Sequence, residues 1–310
     1  MPIGNVPVIA HVVSDLAAGG VRRAQIIAAA GERGPLERAL GAGAASGLPI
    51  EIVEAPPAGS RREVLHALCR GLAHEPVLLV PGDGLAPHLL GQMPERYDDG
   101  DVDVVLATRG PVVVRAGPHD GRLRDLPLVL GPGAGPLIAG LLESDGGDGD
   151  LTGVLLHSGL RLAVCDAGDD TWLYDSSTDV LLAGNRRALD RLPAGPPLTE
   201  LGEGNELHGR ISVGEGVFAS GCVIQGPAAI AAHAVLEDCH IGPFTAIGPR
   251  AVISDAELDD TIVLADAEIR HPGQRIVMSV IGERARVGRR FALPRGLHLR
   301  LGPDSRIDFS

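Results

Sequence analysis

The chain of 310 residues contains no lysine; all 27 of its basic residues are arginine. Any mechanism that needs a side-chain ammonium is therefore excluded. Aromatic residues make up 2% of the chain, which leaves few planar side chains to stack on bases or sugars. Cys69, Cys165, Cys222 and Cys239 are scattered with no CxxC pair, so the spacing of a zinc site is missing. They read as buried free thiols. No apolar run approaches the length of a membrane span. The N-terminus shows no basic segment followed by an apolar stretch, so no signal peptide is expected. Together these absences predict a cytoplasmic protein. The formal net charge of −13 argues against nucleic acid or an anionic membrane as partner.

What is present is enough for a packed core: 45% of the chain is hydrophobic, and its length suits one or two domains. The 43 glycines and 24 prolines require frequent turns. In the first half, helical and strand patterns alternate. Residues 7–21 have helical spacing and stop at Gly19-Gly20. Residues 24–28 form a short apolar strand pattern, and residues 60–72 read as a helix. Residues 76–80 are a continuous apolar strand broken by Pro81-Gly82-Asp83-Gly84. Residues 102–106, 112–114 and 161–165 are further strand patterns, and residues 179–192 are a late helix. This alternation predicts an α/β layer fold with a mostly parallel sheet. Ligands in such sheets bind at the carboxyl ends of strands, and Asp83 follows one such end.

From about Leu207 the period changes. Val213, Ile224, Ile230, Leu236, Ile241, Ile247 and Ile253 recur mostly every six residues, with one step of five from Leu236 to Ile241. Ile276, Ile281-Gly282 and Val287-Gly288 carry the pattern on. Hexapeptide repeats with a leading aliphatic residue predict a parallel β-helix. The boundary is expected in the Pro- and Gly-rich stretch 193–207, dividing the chain into domains 1–198 and 199–310.

Other polar features have plain readings. Gly131–Pro136 is a loop, although its glycines could cradle phosphate at a helix start. The acidic run 145–150 is a solvated loop that lacks the terminal Glu of an EF-hand. Arg61-Arg62 opens a helix on its surface face. His233 and His240 lie in the β-helix as surface or corner residues; a general base there would mean an acyltransferase.

A nucleotide-binding α/β domain followed by a left-handed β-helix resembles the sugar-1-phosphate nucleotidyltransferases, in particular the long glucose-1-phosphate thymidylyltransferase group. The resemblance is carried by PIGNVPVIAHVVSDLAAGGV (2–21), EPVLLVPGDGL (75–85), DDTWLYDSSTDVLLAGNRRAL (169–189) and the β-helix to the chain's end. It implies a Rossmann-like first domain and a catalytic Mg²⁺ held by Asp83 and Asp175. It also implies nucleotide contacts at Gly59, Gly82 and Asp83, and an oligomer, either of identical copies or with an active paralogue. The reaction implied is attack of a sugar phosphate oxygen on the α-phosphorus of a nucleoside triphosphate. The chain departs from the family in several places. The glycine-rich signature loop is absent, and no lysine can supply the Glu-Lys-Pro clamp. Gly-Asp-Asn has become Gly82-Asp83-Gly84, and Asp-Thr-Gly has become Asp175-Ser176-Ser177. These departures predict a protein degenerate in nucleotidyl transfer that binds a nucleotide or sugar phosphate, regulates, or is repurposed. The alternatives are an active Mg²⁺-dependent transferase and a β-helix acyltransferase.

Overall fold

The computed structural model describes residues 1–41, 47–55, 75–98, 100–108, 128–144, 155, 158–168, 171–192 and 201–289. The chain opens with a hairpin in which β1 (Pro2–Ile3) pairs antiparallel with β2 (Val6–Pro7). Its two turn residues, Gly4 and Asn5, have φ of 55° and 65°, which is the geometry of a type I′ turn. Helix α1 (Val8–Ala18) follows and buries Val8, Ala10, Val12 and Val13. It stops where two glycines stand. Gly20 has φ of 81°, its N–H donates to the Ala17 carbonyl, and the Val21 N–H donates to that of Leu16, both at 3.1 Å. These are the paired bonds of a Schellman ending.

β3 (Ala24–Ala28), α2 (Arg33–Gly41) and β4 (Ile50–Glu54) come next, with β3 and β4 parallel. A second sheet is built from β5 (Val77–Leu79), β7 (Val104–Thr108), β8 (Leu128–Leu130) and β9 (Leu162–Asp166), in the order β5-β8-β7-β9. Between β5 and β7 lie the short β6 (Gly84–Leu85) and helix α3 (Pro87–Asp98). β8 alone runs against its neighbours, so three of the four strands share one direction. Leu89 and Met93 of α3 cover one face, over Val105, Ala107, Val129 and Ala163. Helix α4 (Ala134–Ser144) covers the other, with Ile138 and Ala139 over Val104, Leu106, Leu128 and Leu130. Burial on both faces explains why β7 reads as an unbroken apolar run.

The glycine-rich run 131–136, expected as a loop, is half turn and half helix: the Ala134 N–H closes onto the Gly131 carbonyl at 3.1 Å, and α4 begins there. The expected helix 60–72, strand 112–114 and acidic loop 145–150 lie outside the described residues, as do Gly59, Arg61, Arg62 and Cys69. β10 (Trp172–Leu173) and helix α5 (Thr178–Asp190) close the α/β part.

From Glu206 onward the chain winds into a left-handed β-helix of about five turns. Glu206 pairs with Val223, Val223 with His240, and His240 with Glu257, so each of these coils takes 17 residues. The inward positions are Leu207, Val213, Ala219, then Ile224, Ile230, Leu236, then Ile241, Ile247, Ile253. Steps of six, six and five repeat, so the short step from Leu236 to Ile241 recurs at the same corner of each of these coils. The corners are stacked residues with positive φ: Gly216, His233, Arg250, Asp266 and Arg284 form one column. Within it Arg250 makes a two-pronged bond to Asp266, both contacts 2.7 Å.

The two halves are joined by a polar seam set in apolar packing. Leu181, Leu182 and Ala188 of α5 share a cluster with Ile262 of the β-helix. The wholly buried Asn185 accepts from the Gly4 N–H and donates to the Phe244 carbonyl, each at 2.8 Å. Asn5 donates to the carbonyls of Ala229 and Ile247, each at 2.9 Å. The Arg186 guanidinium grips both oxygens of Asp260.

Candidate functional site

β6 and β10 form a two-stranded antiparallel ladder, with Trp172 opposite Leu85 and Leu173 opposite Gly84. It runs one step further, because the Tyr174 N–H donates to the Asp83 carbonyl at 3.1 Å. The turn carrying Gly82 and Asp83 and the turn carrying Asp175 therefore abut. The sequence expectation gave these residues one site, and the backbone brings their two segments side by side.

Local packing explains the residues around them. A Cβ on Gly84 would stand 2.5 Å from Leu173 Cδ2 and 3.1 Å from the Trp172 carbonyl oxygen. A side chain there would have to displace the end of Leu173 and press on the Trp172 carbonyl, which favours glycine in the third place of Gly82-Asp83-Gly84. At Gly82 a Cβ would come within 3.3 Å of Ile9 Cδ1, so the first turn of α1 lies against this loop. Trp172 is buried, and its indole N–H donates to the Val180 carbonyl at 2.7 Å. It also stacks on Tyr174, with ring centroids 6.2 Å apart. These contacts fix β10 to the start of α5.

Asp175 is exposed and accepts the Ser177 N–H on Oδ1 at 2.8 Å. Ser177 caps α5 in turn, its hydroxyl accepting the Val180 N–H at 3.2 Å. The Ser177 hydroxyl, and next its backbone N–H, hold the Asp175 carboxyl below the usual carboxylate range. Asp83 is exposed and makes no side-chain hydrogen bond or ion pair among the described residues.

Two exposed carboxylates on abutting turns are hard oxygen donors of the kind Mg²⁺ takes. Among the described residues no three His, Cys, Asp or Glu side chains gather to complete a cage. The donor set fits an ion that arrives with phosphate and water ligands of its own. It does not fit one that the protein alone encloses.

Sequence reasoning missed Tyr174, which faces Asp83 across the ladder, and the seam residues Asn5 and Asn185. A Gly-Asn pair between short apolar runs signals the turn that holds Asn5; nothing local signals the other two. A half-buried polar pair lies on α1. The Asp15 carboxylate stands 3.7 Å from Arg191, and His11 Nε2 lies 3.0 Å from the Ile3 carbonyl. Burial pushes the Asp15 carboxyl up and the His11 imidazole down. His233 sits at a corner with φ of 61°, and His240 opens a β-helix strand. No helix among the described residues is long and apolar enough to cross a membrane.

No family model matches the chain. A glucose-1-phosphate thymidylyltransferase of Streptomyces antibioticus is 26% identical over 338 residues, covering 99% of this chain and 92% of that protein. Another of that name, from Streptomyces griseus, is 33% identical over 108 residues, which is 35% of this chain and 30% of that protein. A solved Bacillus anthracis structure, assigned as a glucose-1-phosphate thymidylyltransferase and holding a sucrose, is 15% identical. It covers 63% of this chain and 87% of that chain, with a TM-score of 0.49.

Proposed function

For a chain related in sequence, over nearly its whole length, to the sugar-1-phosphate nucleotidyltransferases, we propose binding of a nucleotide or sugar phosphate at the paired turns 81–83 and 174–177, with nucleotidyl transfer largely lost. The observation that supports this is the Tyr174–Asp83 bond, which sets two exposed carboxylate turns against each other at the end of β5. Asp83 and Asp175 are the residues that would hold Mg²⁺ brought in by the ligand's phosphates, whose charge it neutralises. The first turn of α1 at Ile9 closes one side of the loop, and Tyr174 lines the ladder beside it. Transfer is the step we regard as lost. It depends on positioning and on positive charge around the reacting phosphates, and the chain has no lysine for that work.

In this reading residues 1–198 form the ligand-binding unit and residues 199–310 the assembly unit. Assembly joins identical copies or an active paralogue, in the cytoplasm, so that ligand binding regulates a pathway of sugar nucleotides.

Calorimetry with nucleoside triphosphates and hexose 1-phosphates in the presence of Mg²⁺, together with pyrophosphate release on the same pairs, tests the proposal. Binding without release above background is the expected result. Release at a full enzymatic rate would replace it with an active transferase. Failure of every ligand to bind would remove the site reading altogether.

A further inference from the structure

Cys222 and Cys239 hold equivalent places on successive coils of the β-helix. Val223 pairs with His240, so the cysteine just before each is stacked on the other. The Val223 N–H donates to the Cys239 carbonyl at 2.9 Å, which ties the two coils at this point. Asn205 begins the same column, its amide oxygen accepting the Cys222 N–H at 3.0 Å. Ala256 continues it on the next coil, and the His240 N–H donates to the Ala256 carbonyl at 3.0 Å. Both cysteines are free, with relative exposures of 0% and 3%.

The two thiols therefore occupy neighbouring rungs of one column. Cys222 Sγ faces the Ser220 carbonyl at 3.3 Å, and Cys239 Sγ the carbonyls of Glu237 at 3.0 Å and Ile253 at 3.2 Å. Neighbouring strands lie about 4.8 Å apart, within the span of roughly 4.4–6.8 Å between α-carbons that a disulfide bridges. The residue before each cysteine in the chain is exposed. These are the corner residues Gly221 and Asp238, with φ of 65° and 50°.

We propose that Cys222 and Cys239 are an oxidation site that a hydroperoxide closes into a disulfide, stapling two coils of the β-helix. The Cys222 thiolate attacks a peroxide oxygen. A sulfur–oxygen bond forms, the oxygen–oxygen bond breaks, and the departing hydroxide takes up a proton as water. The Cys239 sulfur, giving up its proton, then attacks the sulfenic sulfur. The sulfur–sulfur bond forms and the second oxygen leaves as water. Two thiols lose two electrons, and one peroxide becomes two waters. The neighbouring Cys239 thiol draws the Cys222 thiol below its ordinary value, against the opposing pull of burial, and the thiolate is the form that attacks.

The test exposes the whole protein to hydrogen peroxide at neutral pH, counts thiols after denaturation, and maps peptides cleaved at arginine. Arg210 and Arg250 bracket both cysteines, so the fragment between them carries the pair. The thiol count is expected to fall from four to two. The 211–250 fragment should lose two hydrogens, and dithiothreitol should restore both. A Cys239→Ala variant, which places at this rung the alanine already found at position 256, should instead add oxygen to that fragment. Persistence of all four thiols, loss mapped to Cys69 or Cys165, or oxygen added to the wild-type fragment would each overturn the proposal.

Discussion

The Tyr174 N–H meets the Asp83 carbonyl at 3.1 Å, and through that bond two turns about ninety residues apart share one edge. The Asp83 side chain makes no hydrogen bond or ion pair among the described residues, whereas that of Asp175 holds the start of α5 through Ser177. Their alanine variants should therefore behave differently. Asp83→Ala is expected to leave stability within about 0.5 kcal/mol of wild type while lowering Mg²⁺-dependent nucleotide affinity by about tenfold or more. Asp175→Ala should lower both affinity and melting temperature. Calorimetry and thermal unfolding of the two variants separate these outcomes, and equal melting losses would contradict the assignment.

Asn185 is wholly buried and spans Gly4 and Phe244 with its two amide atoms. Truncation to alanine leaves an N–H and a carbonyl without partners in the seam. Unpaired buried groups cost about 1–3 kcal/mol each, so Asn185→Ala should lose about 2–4 kcal/mol in denaturant unfolding. A loss below about 0.5 kcal/mol would show that water repairs the seam.

Asp15 gives a prediction whose sign depends on pH. Burial raises its carboxyl above the ordinary value, against the opposing pull of Arg191 and then His11. The folded state therefore binds the proton more tightly than the unfolded one, and the charged form is a burden on folding. That burden is complete above the raised folded value and is gone below the unfolded value. Asp15→Asn should thus be more stable than wild type at pH 7. Its advantage should shrink as pH falls through the raised range, and melting temperatures taken from pH 7 to pH 3 would show this. An asparagine variant that melts lower at pH 7 would mean that the Arg191 contact outweighs burial.

Gly84→Ala should push the ladder apart, since the new carbon lands on Leu173 and the Trp172 carbonyl. Overpacking of this kind costs about 1–3 kcal/mol. Trp172 is the single tryptophan of the chain, so its emission reports the displacement directly. An unchanged spectrum would mean that Leu173 alone gives way.

The parts of the fold visible in the sequence are those where neighbours in the chain decide the outcome. β3 falls on residues 24–28 as expected because an apolar run is bounded by polar and glycine residues. α1 ends at its glycines for a reason local to the backbone. α3 was not legible because Gly91 and Pro94 interrupt its apolar spacing, and it is held by the sheet beneath it. The acidic turns were found as separate motifs, yet nothing in either shows that Tyr174 stands opposite Asp83. Asn5 and Asn185 were invisible as partners of the β-helix because their bonds reach across 59 to 242 positions of sequence. A buried asparagine carries no local pattern that a surface one lacks.

The wall of the β-helix does not need a fixed circuit. Ile253 pairs with Ile269 after 16 residues and Ile269 with Val287 after 18, yet all three stay in the same core column. The difference is absorbed between strands, where the inward step is five residues from Leu258 to Val263 and seven from Ile269 to Ile276. Length variation in this half of the molecule is thus buffered at the corners, and a homologue shorter by one residue there should keep every later rung in phase.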